Sequence, residues 1–270
     1  MNRPKVSVIL TFHDRPDMVK RAIKHLILQS FQDFELILVD DCSEKPLALG
    51  DIEFGSLVVT HIRNETNLGA NKSRLNGLKI SKGDYICFHD DDDYWMVDKL
   101  KKQLDFLVKN PDYHLVTAYA QANKKVVKFP KRPSSFSLSI HNCVGSFSIP
   151  MIRNSDTLRH SLDNNLTNAQ DWNVWRNISR HYKVGSLEEI LVFFDDGAHD
   201  RISSVKNIEQ YYSSYLKVAL QDSPNALIKY YHQSLANYHC SDVLIKTYLW
   251  GFVTLFLRGY IKIALLVEEQ

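Results

Sequence analysis

Short unbroken apolar runs alternate with apolar residues at helical spacing along this chain, and that rhythm predicts its elements. Val6-Ser7-Val8-Ile9-Leu10 reads as a buried strand that ends in the polar stretch Thr11-Phe12-His13-Asp14-Arg15-Pro16. Pro16 and Asp17 suit a helix's first turn, and Met18, Ala22, Ile23, Leu26 and Ile27 then recur at helical spacing. Glu35-Leu36-Ile37-Leu38-Val39 is a second strand, ending at Asp40-Asp41-Cys42-Ser43. A strand, a helix and a strand so closely spaced predict a right-handed crossover and a parallel sheet. Leu57 to Ile62 gives a third strand and Ala70 to Ile80 a helix after Asn67-Leu68-Gly69; Ser81-Lys82-Gly83 then turns into a fourth strand, Tyr85 to Phe88.

Farther on, Leu100, Leu104 and Leu107 mark one face of a helix over Val97 to Val108, and Leu115 to Ala120 is a strand. Lys124 to Ile140 is mixed, with a basic loop at Pro130-Lys131-Arg132-Pro133-Ser134-Ser135 that either meets an anionic substrate or is solvated surface. Val144 to Ile149 is expected as a short strand. Gln170-Asp171-Trp172 opens a helix with Asn168 as its N-cap and Asp171 in its first turn, where a negative charge is favoured. Val184 to Phe194 includes a strand, followed by the polar segment Asp195 to Arg201. Composition shifts near position 206, which divides the expected domains into 1–205 and a helical region 206–270. Within the latter, Thr247 to Leu257 is the longest charge-free apolar run, too short to span a bilayer. It reads as a core helix or as one lying in a membrane interface, with Lys246, Arg258 and Lys262 snorkelling.

Composition narrows the classes. The 270 residues are 44% apolar and 24% charged, the balance of a globular protein. A net charge of +2 gives no electrostatic case for nucleic acid. Cys42, Cys87, Cys143 and Cys240 form no CxxC pair, which fits free thiols in a reducing compartment. The apolar piece near the N-terminus is too short and strand-like for a signal peptide.

Candidate chemistry then enters at Asp90-Asp91-Asp92-Asp93, four carboxylates in a row at the fourth strand's end. Like charges repel, so packing alone does not favour them there. A hard divalent cation does, since Mg²⁺ or Mn²⁺ binds through one or two carboxylates and leaves other positions to substrate phosphates. A solvated acidic loop is the alternative; an EF-hand is not, because the alternating ligands, central Gly and distal Glu are missing. Three strand ends carry polar groups, at His13-Asp14, Asp40-Asp41 and Asp90 onward, which is the pattern of a nucleotide crevice. No GxxxxGK[ST] or GxGxxG supports a P-loop or dinucleotide site.

From about Lys5 to Ser204 the chain resembles glycosyltransferase family 2, the inverting transferases of the A-type glycosyltransferase fold. The resemblance rests on the opening strand through Arg15, Gln29 to Ser43, Asn67-Leu68-Gly69, Arg74 through Ile86, Asp90 to Trp95, Gln170-Asp171-Trp172 and His199 to Ser203. Phe12, His13, Leu75 and Gln170 depart from the family pattern. It implies an α/β fold, with a mostly parallel Rossmann-like central sheet, flanking helices and a C-terminal helical extension. It implies a nucleotide-sugar donor, a UDP-sugar foremost, with Mn²⁺ or Mg²⁺ as cofactor and a saccharide or lipid-linked saccharide as acceptor. Thr11 and Phe12 would line the base, Asp40 would accept from uracil, and Arg74, Asp90 and Asp91 would hold the rest of the donor. Asp92 would ligate the metal, with His199 at the metal or diphosphate, and Asp171 would be the general base. The implied setting is surface-polysaccharide assembly, in the cytoplasm or on the cytoplasmic face of the inner membrane. A non-catalytic nucleotide-sugar or glycan-binding module on the same fold is the alternative, against which the retained Asp92 and Asp171 count.

Overall fold

A computed structural model describes residues 3–162, 166–195 and 208–220, with short pieces at 228–229, 231–233, 254–255 and 258–259. The strand and helix rhythm of the sequence is realised in order. β1 (Val6–Phe12), α1 (Pro16–Ile27), β2 (Phe34–Asp40), β3 (Val58–Arg63), α2 (Ala70–Ile80) and β4 (Tyr85–Asp90) form the first half. β5 (Asp93–Trp95), α3 (Lys99–Lys109), β6 (Tyr113–Ala122), β7 (Lys125–Val127), α4 (Ser135–Ile140) and β8 (Met151–Arg153) follow. α5 (Asp156–Leu162), α6 (Gln170–Ser179), β9 (Lys183–Phe194) and α7 (Ile208–Leu220) complete the described elements.

One sheet runs in the order β3-β2-β1-β4-β8-β6-β9-β5, with β7 paired to β6. β1, β2, β3 and β4 are mutually parallel, as the short crossovers predict. Beyond β4 the sheet becomes mixed: β8 runs antiparallel to both neighbours, and β6 pairs parallel with β9 through register shifts. Parallel register sets Phe12 opposite Asp40 and Thr11 opposite Asp90, so three strands finish together at one edge.

Alternation fixes the two faces of the parallel half. Val6, Val8 and Leu10 of β1, with Leu36 and Leu38 of β2, pack into a cluster with α1 and α3. Ile9, Ile37, Val39, Ile86 and Phe88 pack on the opposite face with residues of α2, α5 and α6. Both faces are covered, which explains the near-continuous apolar runs.

Two expected local features differ. Val144 to Ile149 is an irregular turn, and the strand comes after Pro150, as β8. Gly145 at φ +96° and the Asn142 amide, which accepts from the backbone of Val144 and Gly145, commit the segment to turning. Asn168 does not cap α6; Ala169 stands at the N-cap in a left-handed conformation, with no side-chain capping bond. Asp171 takes over part of that work, its Oδ1 accepting from the Trp172 N–H at 2.7 Å. The mixed segment Lys124 to Ile140 contains β7 and α4, the latter started by a Ser134–Ser137 capping box. Most of the expected C-terminal helical extension lies outside the described residues, and among the described residues no helix is long and apolar enough to cross a membrane.

Candidate active site

The ends of β1, β2 and β4 open into a cleft of about 940 Å³, within the size range of small-ligand sites. Thr11, Phe12, Arg74, Asp90, Asp91, Asp92 and Asp171 all line it. Residues far apart in sequence therefore meet in one cavity, with the donor-side acids at the β4 edge and Asp171 at the start of α6.

At the β2 end the two neighbouring aspartates do different jobs. Asp40, expected to face the base, is fully buried and does not line the cleft. Its Oδ1 accepts from Ser43 N at 2.8 Å and its Oδ2 from Arg63 at 3.2 Å. Asp41 lines the cleft instead. It accepts from Asn64 Nδ2, Leu68 N and Gly69 N, at 2.8, 2.9 and 2.8 Å. Those bonds hold the loop whose Gly69, at φ +83°, leads into α2.

Arg74 projects from α2 beneath the acidic run, Nη2 donating to Asp90 Oδ1 at 2.5 Å. Its guanidinium lies 4.1 Å from the Phe147 ring centroid. Asp90 is further fixed by its backbone N–H, which donates to Ser148 Oγ. Asp91 is nearly buried, and burial pushes its carboxyl up to about 7; Arg15 pulls it down, while Asp92 and Asp90 push it up. Arg15 Nη1 stands 3.3 Å from Asp91 and 3.6 Å from Asp92. Asp93 pairs with Phe194, which joins the acidic run to the end of β9. Just past that end, Arg21 of α1 holds Asp195 at 2.6 Å.

Asp171, at the start of α6, lines the same cleft. Burial raises its carboxyl to about 6, against the lowering effects of the Trp172 N–H and Arg74; Asp90 raises it further. The first turn of α6 thus does not dominate its ionisation, contrary to the expectation that the helix start would favour the charged form. Asn142 Nδ2 donates to its second oxygen at 3.1 Å. His141, Phe147, Thr167, Asn168, Trp172 and Tyr215 also line the cleft.

Sequence reasoning passed over Arg15, Asn142, Phe147 and Tyr215, and gave the base contact to Asp40 rather than to its neighbour Asp41. Asp41 had a legible signal as the second acid of a strand-end pair; Asn142 had a weaker one as a turn-former shortly before Gly145. His199 lies outside the described residues.

Among the described residues no group of three or more His, Cys, Asp or Glu side chains is arranged around a common point. That does not conflict with Mg²⁺ or Mn²⁺, which needs only one or two carboxylates when substrate phosphates supply other oxygens. The donor set at the β4 edge is all carboxylate oxygen; burial chiefly lifts Asp91 and repulsion from Asp92 and Asp90 adds to it, and a nearby cation would favour the ionised form against both. The residues present fit such an ion.

WcaA of Escherichia coli K12, a glycosyl transferase assigned provisionally to colanic acid biosynthesis, is 29% identical over 238 residues, 80% of this chain and 82% of its own. WfgD of Escherichia coli is named as a UDP-Glc:alpha-D-GlcNAc-diphosphoundecaprenol beta-1,3-glucosyltransferase. It is 24% identical over 186 residues, 67% of this chain and 72% of its own. In fold the chain is similar to S. aureus TarS 1-349, solved in complex with UDP-GlcNAc, with a TM-score of 0.68 at 19% identity. That similarity covers 87% of this chain and 71% of TarS 1-349. Residues 7–179, which carry the strand ends, the acidic run and Asp171, match the model of glycosyl transferase family 2, and the chain belongs to that family of glycosyltransferases.

Proposed function

We propose that this protein is a metal-dependent, inverting glycosyltransferase. It moves a hexosyl or N-acetylhexosaminyl group from a UDP-sugar to a hydroxyl of a saccharide or lipid-linked saccharide. The observation that carries this reading is that Asp90, Asp91, Asp92 and Asp171, far apart in sequence, line one cleft. Similarity to WfgD, whose donor is UDP-Glc and whose acceptor is a diphosphoundecaprenol-linked sugar, supports the UDP donor and the lipid-linked acceptor.

Thr11 and Phe12 contact the base at the β1 end, and Arg74 and Asp90 orient the nucleotide. Asp40 acts from beneath, fixing the β2 end from which Asp41 reaches the cleft. Asp92, with Asp91, would hold Mn²⁺ or Mg²⁺, and the ion would offset charge on the departing diphosphate. His199 is assigned to the metal or the diphosphate by family pattern. The acceptor hydroxyl ionises far above neutral pH, so it needs a base as it attacks. Asp171 supplies that base, and attack on the face of the sugar opposite the leaving group inverts the anomeric centre. The setting is surface-polysaccharide assembly, with the protein on the cytoplasmic face of the membrane and its segment beyond Val243 touching the lipid surface. The same fold used only to bind a nucleotide sugar is the competing reading.

A panel of UDP-, GDP- and dTDP-sugars is assayed for hydrolysis and transfer with and without Mn²⁺. Turnover of UDP-sugars that disappears on chelation is expected, and Asp92→Ala is expected to abolish both turnover and Mn²⁺-dependent UDP binding. UDP binding by that variant with unchanged Mn²⁺ dependence removes Asp92 from the site. Nucleotide-sugar binding without turnover for every donor and acceptor tried favours the binding module.

A further inference from the structure

Residues 142–148 link α4 to β8 without regular structure, yet they line the cleft and reach both the end of β4 and the start of α6. On the donor side, Phe147 lies under the Arg74 guanidinium and Ser148 Oγ accepts from the Asp90 N–H. On the opposite side, Asn142 Nδ2 donates to Asp171 Oδ2 at 3.1 Å, and Trp175, one turn along α6 from Asp171, donates from Nε1 to Gly145 O at 2.7 Å. The Asn142 amide is held at both ends. Its Oδ1 accepts from Val144 N and Gly145 N, at 3.2 and 3.0 Å, and its Nδ2 also donates to Gly145 O at 3.2 Å. Reversing the amide would set its NH₂ against two backbone donors and its oxygen against a carboxylate and a carbonyl, so the hydrogen-bond network fixes its direction.

We propose that Asn142 is a positioning residue for the base: its fixed donor locks the Asp171 carboxylate in the orientation that presents a free lone pair to the acceptor hydroxyl. This rests on the reading of Asp171 as the base. Trp172 N occupies Oδ1 and Asn142 occupies Oδ2, and a carboxylate oxygen keeps a second acceptor site beyond each bond. The carboxylate therefore stays able to take a proton while losing the freedom to rotate. The charged or titratable groups around Asp171 are Arg74 of α2, Asp90 at the end of β4, His141 next to Asn142, and Tyr215 of α7. The turn itself couples this site to the donor side, since the segment that orients the base also seats Arg74 and Asp90.

Asn142→Asp separates positioning from folding. Its carboxylate keeps an acceptor for Val144 N and Gly145 N, while an acceptor replaces the donor to Asp171 and to Gly145 O; an unchanged melting temperature shows that the turn is retained. The expected result is a kcat reduced at least about tenfold with donor KM within about twofold, because a misaligned base weakens the chemical step and leaves donor contacts intact. The acid limb of kcat/KM should also move to higher pH, because a second carboxylate favours protonated Asp171. Asp171→Asn is measured alongside and is expected to be inactive in transfer while still binding donor. Wild-type kcat and pH profile in Asn142→Asp, with Asp171→Asn inactive, overturn the positioning role alone. A lowered kcat without movement of the acid limb overturns it too. Full transfer by Asp171→Asn removes the base assignment, and this inference with it.

Discussion

Asp171 feels two opposed pulls, and their balance sets when it can work. Burial raises its carboxyl to about 6, while the Trp172 N–H and Arg74 favour the ionised form. A base must be ionised to accept a proton, so activity should be present above about pH 6 and lost below it. We expect the acid limb of kcat/KM to fall near pH 6, roughly two units above an ordinary aspartate; a limb near pH 4 would contradict the burial seen here. Lys99 shows the same physics without a catalytic role. It is fully buried against the Trp95 ring, 3.8 Å from the centroid, and donates to Gln103 Oε1. Burial lowers its pKa to about 8. Between pH 8 and 10.5 the unfolded chain holds a proton there that the folded chain does not, so stability rises with pH across that window. Lys99→Met removes this contribution. The wild type should gain stability relative to the variant, by the order of 3 kcal/mol, as pH rises from 8 to 10.5 in urea titrations.

At the scale of elements, the parallel half of the sheet was legible because its signals are local. Strand runs such as Glu35 to Val39, helix spacing from Met18 to Ile27 and the turn at Asn67-Leu68-Gly69 each carry their own period. Convergence of three strand ends then followed from short parallel crossovers. The irregular half was less legible, because Asn142, Gly145 and Ala169 act through tertiary contacts that no period marks. Asp40 and Asp41 were both visible as polar strand-end residues; which of them faces the cleft depends on the side each turns to at the end of β2. Gly145 tests how far the turn depends on its backbone. A Cβ there would stand 2.5 Å from Ile149 Cδ1 and 2.8 Å from Phe129 Cζ, at φ +96°. Gly145→Ala should therefore cost ~3 kcal/mol in chemical denaturation and lower transfer by disturbing Asn142 and Phe147 together. A variant as stable as the wild type would show that the turn relaxes freely.

For the molecule as a whole, the cleft is assembled from both halves of the sheet and from helices on either side of position 205. α7 contributes Tyr215 to the wall, where its ring packs 5.2 Å from Trp172, the neighbour of Asp171. Tyr215 in turn meets His232, O to Nδ1 at 2.6 Å, and His232 Nε2 donates to Ser139 O of α4 at 2.8 Å. In the neutral ring, with Nε2 donating, Nδ1 accepts from the Tyr215 hydroxyl. Burial lowers the His232 pKa to about 4; the Ser139 carbonyl opposes this, and Arg176 and His141 add to it. The unfolded imidazole takes a proton near 6.5, so the unfolded chain binds more protons between pH 6.5 and 4, and the stability of this docking is lost as pH falls through that range. We expect amide exchange in 208–220, corrected for intrinsic rates, to be faster at pH 5 than at pH 7 by an opening free energy of the order of 1–2 kcal/mol. His232→Gln, which can still accept and donate but does not titrate, should flatten that difference. Equal pH dependence in the two proteins would place the acid-sensitive group elsewhere and leave α7 docked independently of His232.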